Sequence, residues 1–224
     1  ALPILNKRAE ERQPFFTVLL SISNHPSYVI PDYFKPHSTK LEDQIVEYAD
    51  WAIRQFMQEA RKQPWFENTI FVLLGDHGKL VGSPDCEIPQ SYNHVPLMYL
   101  TEKASRPEIR QEPGGQTDVA PTLLGLLNMS YTQNDFGINL LTEQRPYVYF
   151  SADNLIAATD TTHLYIYSPH DRQEFKYKKQ GNALQLVTGE DSTFYVMKKY
   201  CFSTLQSAEY LVKEHKTVNK ATGQ

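Results

Sequence analysis

The chain has 224 residues, 41% of them hydrophobic and 21% charged, with a formal net charge of −4. That is enough for one domain with a real core, or a domain with a small appendage. The mild acidity gives no basic footprint, so nucleic acid is excluded as a probable class of partner, and no apolar run reaches the length of a membrane span.

The N-terminal ALPILNKRAEERQPFF lacks an initiator Met and the charged-then-apolar pattern of a signal. It reads as the start of a processed or excised piece. Residues 14–23, PFFTVLLSIS, are short, apolar, aromatic and β-branched, which predicts a strand. Asn24-His25-Pro26 is a turn signal after it. A loop rich in proline and tyrosine follows. Apolar residues then recur at three- and four-residue steps from Leu41 to Ala60, which predicts a helix over 39–62. Ser38 or Thr39 is placed to cap it, with Glu42 completing a capping box.

Residues 69–75, TIFVLLG, form the next expected strand. Strand, long helix, strand implies a βαβ crossover and a mainly parallel sheet flanked by helices. Residues 78–93 read as loop, 95–100 as a short strand and 101–116 as loop. The helix over 118–128 has Asp118 as its cap and Pro121 in its first turn. After about residue 145 the pattern changes to short, alternating, aromatic segments at 147–151, 163–168, 174–178, 183–187 and 194–198. These predict an antiparallel meander, closed by a helix over 203–215. The expected division is 1–142 for an α/β catalytic portion and 146–224 for a small antiparallel subdomain. Cys86 and Cys201 sit in no CxxC and are too few for a disulfide framework; one bridge and two free thiols both remain open.

Ligands of open α/β sheets bind beyond the carboxyl ends of strands. Asp76 and His77 follow directly on TIFVLLG, and His25 follows directly on TVLLSIS. With both strands flanking one helix, their ends are expected on one sheet edge. His94 precedes its strand, so it reaches that edge only if the strand is antiparallel or the loop before it folds back. A carboxylate and an imidazole suit a divalent metal such as Zn²⁺ or Mn²⁺, and a further imidazole can bind a substrate oxygen or move a proton. Gly75 and Gly78 leave room for a close backbone approach. The bland alternatives are a simple turn for Asp76-His77 and for His25, and a packed histidine for His94.

FVLLGDHG, the earlier LLSISNHPSY, the later NHVPLMYL and the helix TDVAPTLLGLLN occur in the order and spacing of one known family. Over residues 14–140 the chain resembles the sulfatase-like branch of the alkaline phosphatase superfamily, nearest to the lipoteichoic acid synthase and phosphoglycerol transferase group. The resemblance implies an alkaline-phosphatase-like fold, incomplete here. It implies that Asp76 and His77 are ligands of a divalent catalytic metal, Mn²⁺ or Zn²⁺. His25 matches a histidine contacting the substrate's phosphate or head group, His94 one near the site in the phosphoethanolamine branch, and Asp118 a structural helix start.

Two departures shape the functional expectation. Family members carry a nucleophilic Thr or Ser and an early acidic metal ligand upstream of the NHP element, and this chain has no room for either. Thr17, Ser21 and Ser23 lie in the strand before His25, and Cys86, in PDCEIP, is no sulfatase signature. The expectation is the C-terminal part of a metal-dependent transferase moving a phosphoglycerol-type group to a lipid or glycan of the bacterial cell envelope. Its substrate is phospholipid-derived or an envelope glycan. The parent is expected to be membrane-anchored upstream, with the catalytic part outside the cytoplasm, and the chain alone to be inactive. The alternatives are a sulfuric-ester or phosphodiester hydrolase of the same superfamily, and a binding module that kept the fold.

Overall fold

The computed structural model describes residues 1–104, 106–189 and 191–217. It divides into two compact units, one of Ala1–Leu73 with Leu97–Pro107, the other of Leu74–Pro96 with the chain from Glu108 onward.

The first unit opens with a helix that the periodicity did not announce, α1 (Leu2–Glu10), with Pro3 in its first turn and Lys7 and Arg8 in its last. These are the places that suit a missing N–H and a cationic end. Buried Leu5 and a 2.7 Å hydrogen bond from Trp65 Nε1 to Asn6 Oδ1 tie α1 down. The long helix, α2 (Leu41–Ala60), lies where its period put it, with Ile45 and Ala60 buried. Its start differs from expectation. The cap position is Lys40 and makes no side-chain bond. Glu47, one and a half turns inside, accepts instead from the His37 and Ser38 backbone N–H groups and the Ser38 hydroxyl. Those bonds hold its carboxyl below its ordinary range, the Ser38 hydroxyl contributing most.

Residues 14–22 do not form the expected strand. They have no regular structure, and Phe16, Val18, Leu20 and Ile22 are exposed together with Phe15 and Leu19. A strand exists only where a neighbour takes up its backbone hydrogen bonds, and no strand is paired with this run among the described residues. Further on, Tyr33 and Phe34 fold back onto Tyr48 and Trp51 of α2, with ring centroids 5.4–6.4 Å apart. The unit's sheet has two strands, β1 (Phe71–Leu74) and β2 (Leu97–Leu100). Phe71 of β1 is surrounded by the rings of Phe56, Trp65 and Phe66.

The second unit is built on a five-stranded antiparallel meander. Its strands β3 (Val148–Ala152), β4 (Leu155–Thr159), β5 (His163–Ser168), β6 (Gln173–Gln180) and β7 (Ala183–Leu186) lie side by side in chain order. β4 was missed by the sequence reading. Asp153 and Asn154, both at positive φ, turn β3 tightly into it, as two-residue hairpins require. The stretch 194–198 is no strand. It belongs to a helix spanning Ser192–Lys213, started by the Asp191 carboxylate accepting from the Thr193 N–H. Its alternating apolar look conceals a helical step: Phe194, Met197 and Cys201 are buried while Tyr195 and Val196 are exposed.

The sheet is covered on both faces. On one, Ile156, Ala158 and Tyr165 meet Phe194, Met197 and Cys201 of that helix. On the other, Ala157, Leu164, Ile166 and Tyr177 meet Cys86 and Ile88 from the loop after β1. The two cysteines are free and buried on opposite faces. Burial pushes each thiol up to about 12, helped at Cys86 by the Asp85 carboxylate.

Candidate metal and phosphate site

The chain leaves β1 through Gly75 into Asp76, His77 and Gly78, all in the second unit. Two backbone hydrogen bonds hold this turn against the segment before β2. The Gly75 N–H donates to Pro96 O at 3.2 Å, and the Gly78 N–H donates to Tyr92 O at 2.8 Å. The bonds bracket Asp76-His77 on one side and His94 on the other. The backbone from Tyr92 to Pro96, which carries His94, thus lies beside the Asp76-His77 turn.

Both glycines are required by that approach. A Cβ at Gly75 would come within 2.9 Å of Val95 Cβ, and one at Gly78 would overlap the Ser91 carbonyl. The segment carrying Ser91 is a single helical turn, α3 (Gln90–Asn93), which ends with the His94 N–H donating to Gln90 O. Gln90 is fixed to the Asp85 carboxylate through its backbone and its side chain. The loop is seated on the sheet by Cys86, Ile88 and a 2.8 Å bond from the Tyr177 hydroxyl to Glu87.

The donors at the turn fit a divalent cation. The Nδ1–H of His77 donates to Gly78 O at 2.8 Å, which leaves Nε2 with its lone pair outward. A backbone carbonyl on the second ring nitrogen is the usual way a ligating imidazole is oriented. Asp76 uses Oδ1 to accept from the His77 N–H, leaving Oδ2 3.8 Å from His77 Nε2. That gap is less than twice a normal metal–ligand distance of about 2.0–2.2 Å, and both side chains are exposed. Among the described residues, no group of three or more His, Cys, Asp or Glu is placed to hold an ion.

His25 lies in the first unit, exposed, with its Nδ1–H donating to Pro26 O at 2.7 Å, so its Nε2 also points free. The expectation that it shares a sheet edge with Asp76 rested on a strand over 14–23, which does not form. Asp118 is wholly buried. Its carboxylate accepts from the Gly115 N–H at 2.7 Å, from the Ile138 N–H at 2.9 Å and from the Arg145 guanidinium. It anchors the chain at the start of α4 (Val119–Leu126) and has no part in the exposed site. Sequence reading missed Gln116, whose amide reaches the carbonyls of Gly75 and Asp76. Only its place two residues before Asp118 hinted at it.

A sequence model of the sulfatase family matches residues 1–129, more than half of the chain. The chain belongs to the sulfatase family. It is 28% identical over 163 residues to the lipoteichoic acid synthase-like protein YvgJ of Bacillus subtilis, covering 59% of this chain and 25% of that relative. It is 25% identical over 185 residues to lipoteichoic acid synthase 1 of the same organism, covering 67% and 28%. The chain therefore spans about a quarter of the length of these curated relatives. Among solved structures it is similar to an alkaline phosphatase superfamily protein from Vibrio parahaemolyticus, with a TM-score of 0.78 at 18% identity over 96% of this chain and 55% of that one. It is also similar to the lipoteichoic acid synthase LtaP of Listeria monocytogenes, with a TM-score of 0.71 at 19% identity over 93% and 57%. The fold of this sulfatase-family chain is alkaline-phosphatase-like, in partial form. No helix among the described residues is long and apolar enough to cross a membrane.

Proposed function

We propose that this chain is the C-terminal part of a metal-dependent transferase that moves a phosphoglycerol-type group to a cell-envelope lipid or glycan. The observation that carries the reading is the Asp76-His77 turn. It presents a carboxylate oxygen and an imidazole nitrogen 3.8 Å apart, held against the segment bearing His94. The likeness to lipoteichoic acid synthases supports the phosphoglycerol class.

In this reading Asp76 Oδ2 and His77 Nε2 hold a divalent cation, Mn²⁺ or Zn²⁺. Such a cation supplies charge stabilisation at a phosphoryl oxygen. His94 binds and orients phosphate oxygens and can hand a proton to a leaving alcohol oxygen, while the role of His25, on its own loop in the first unit, as a contact of the substrate's phosphate or head group rests on the family resemblance alone. Two protein ligands are fewer than a usual site has, so this chain alone binds metal weakly and turns over no substrate. The division into 1–142 and 146–224, an upstream membrane anchor and an extracytoplasmic placement belong to the same proposal. Its substrate is a phospholipid-derived donor or an envelope glycan.

The test is Mn²⁺ titration and turnover by the full-length protein, offered glycerophospholipid vesicles, an aryl phosphodiester and an aryl sulfate. The expected result is Mn²⁺-dependent release of the lipid's phosphoglycerol group, lost in Asp76→Ala. Turnover of the sulfate alone would replace the reading by a sulfuric-ester hydrolase. Neither binding nor turnover would leave a non-catalytic module.

A further inference from the structure

We propose that Gln116 is a positioning residue that sets the backbone of the metal-binding turn. The inference rests on the metal reading of Asp76 and His77. The Gln116 Nε2 amide donates to Gly75 O at 3.0 Å and to Asp76 O at 2.6 Å. These carbonyls belong to the two peptide planes on either side of the Asp76 Cα. A peptide plane is rigid, so the only soft angles between the two are φ and ψ of Asp76. One side-chain NH₂ group with two hydrogens thus fixes both angles, and with them the direction in which the Asp76 carboxylate leaves the backbone. Holding Asp76 O also steadies the peptide whose N–H, that of His77, donates to Asp76 Oδ1.

The clamp has a firm base. Gln116 opens a short 3-10 turn, Gln116–Asp118, that ends on a firmly held carboxylate. Asp118 collects Gly115, Ile138 and Arg145 and is fully buried. Gln116 itself is exposed, so it contributes nothing to a core. Its side chain acts on a turn 40 residues away in sequence. The turn is therefore held on two sides, by the Tyr92 and Pro96 carbonyls and by the Gln116 amide.

The test is Gln116→Met, which keeps the length and removes both donors, with Gln116→Asn, which keeps the amide but draws it back by one carbon. Both are made in the full-length protein. Mn²⁺ affinity is measured by titration calorimetry, and backbone amide exchange is followed at Gly75, His77 and Gly78. The expected result for Gln116→Met is about 10- to 100-fold weaker Mn²⁺ binding, the usual effect of losing a group behind the ligands. Exchange should quicken at those three amides, with β5 exchange and the thermal midpoint without metal unchanged. Gln116→Asn should fall on the same side. Wild-type affinity and wild-type exchange in Gln116→Met would overturn the assignment. Should the unsubstituted protein bind no Mn²⁺, the metal reading fails on its own. The exchange data then decide the clamp: faster exchange in Gln116→Met upholds it, unchanged exchange removes it.

Discussion

Residues 14–22 and residues 163–168 are both short, apolar and rich in β-branched or aromatic side chains. In the first, Phe16, Val18, Leu20 and Ile22 stand 72–79% exposed; in the second, Leu164, Tyr165 and Ile166 are at 2% or less. The difference is company. β5 has β4 and β6 bonded to its two edges, one helix under one face and the Cys86–Ile88 loop over the other. Among the described residues the earlier run has no paired strand, and its apolar side chains stand exposed. Apolar character makes a segment eligible for burial, but hydrogen-bonding neighbours and a covering layer decide whether burial happens.

This contrast can be broken by substitution, and the largest effect belongs to the covered sheet. Phe194→Ala removes a fully buried ring from its underside and should cost about 3–5 kcal/mol in chemical unfolding. Leu20→Ala should stay within about 0.5 kcal/mol, as exposed positions do. Equal costs at the two would mean that residues 14–22 are packed in solution, and the comparison would collapse.

Next comes the ion pair that secures the base of α4. Asp118→Ala leaves the Arg145 guanidinium buried without its carboxylate. The expected loss is about 3–5 kcal/mol, read as a fall in denaturant midpoint. Replacing Asp118 and Arg145 together by apolar residues should recover part of it. A single-variant loss below about 1 kcal/mol would show the pair to be solvated.

A smaller and more local effect is expected at the turn. Gly78→Ala drives a methyl group into the Ser91 carbonyl, costing about 1–3 kcal/mol as overpacking does and abolishing Mn²⁺ binding. Gly189→Ala meets no neighbour within 4 Å and should leave binding untouched. Retained binding in Gly78→Ala would refute the close approach of the two loops.

The smallest effect is a pH dependence at Glu174, near the start of β6. Lys198, by its hydrogen bond, holds the Glu174 carboxyl below its ordinary value of 4.5, outweighing the opposing effect of burial. A depressed folded pKa stabilises the fold above the unfolded value and loses that contribution as pH falls through the folded one. Melting curves below pH 4.5 should therefore show the wild type losing its advantage over Glu174→Gln, an advantage of less than about 1 kcal/mol at neutral pH. A gap independent of pH would remove the pair as its cause.

Local pattern carried much of this molecule. The helical period of Leu41 to Ala60 located α2 within two residues at each end, and β5 lies where alternation placed it. The GDHG and NHP elements identified the candidate ligands, and the family followed from their order. Local pattern also misled where two periods compete. FYVMK alternates like a strand, yet the Asp191 cap and the three- and four-residue spacing of Phe194, Met197 and Cys201 make it helix.

By itself the sequence determined the residue types at the turn, with a glycine on either side of Asp76-His77. It also determined that an antiparallel meander follows an α/β part. Only the tertiary structure decided that the segment bearing His94 lies against that turn, that Gln116 grips the two carbonyls around Asp76, and that residues 14–22 pair with no strand among the described residues. The physical reason is common to all three. Each depends on hydrogen bonds between segments distant in the chain, and no local period or propensity encodes which distant carbonyl a given N–H will meet.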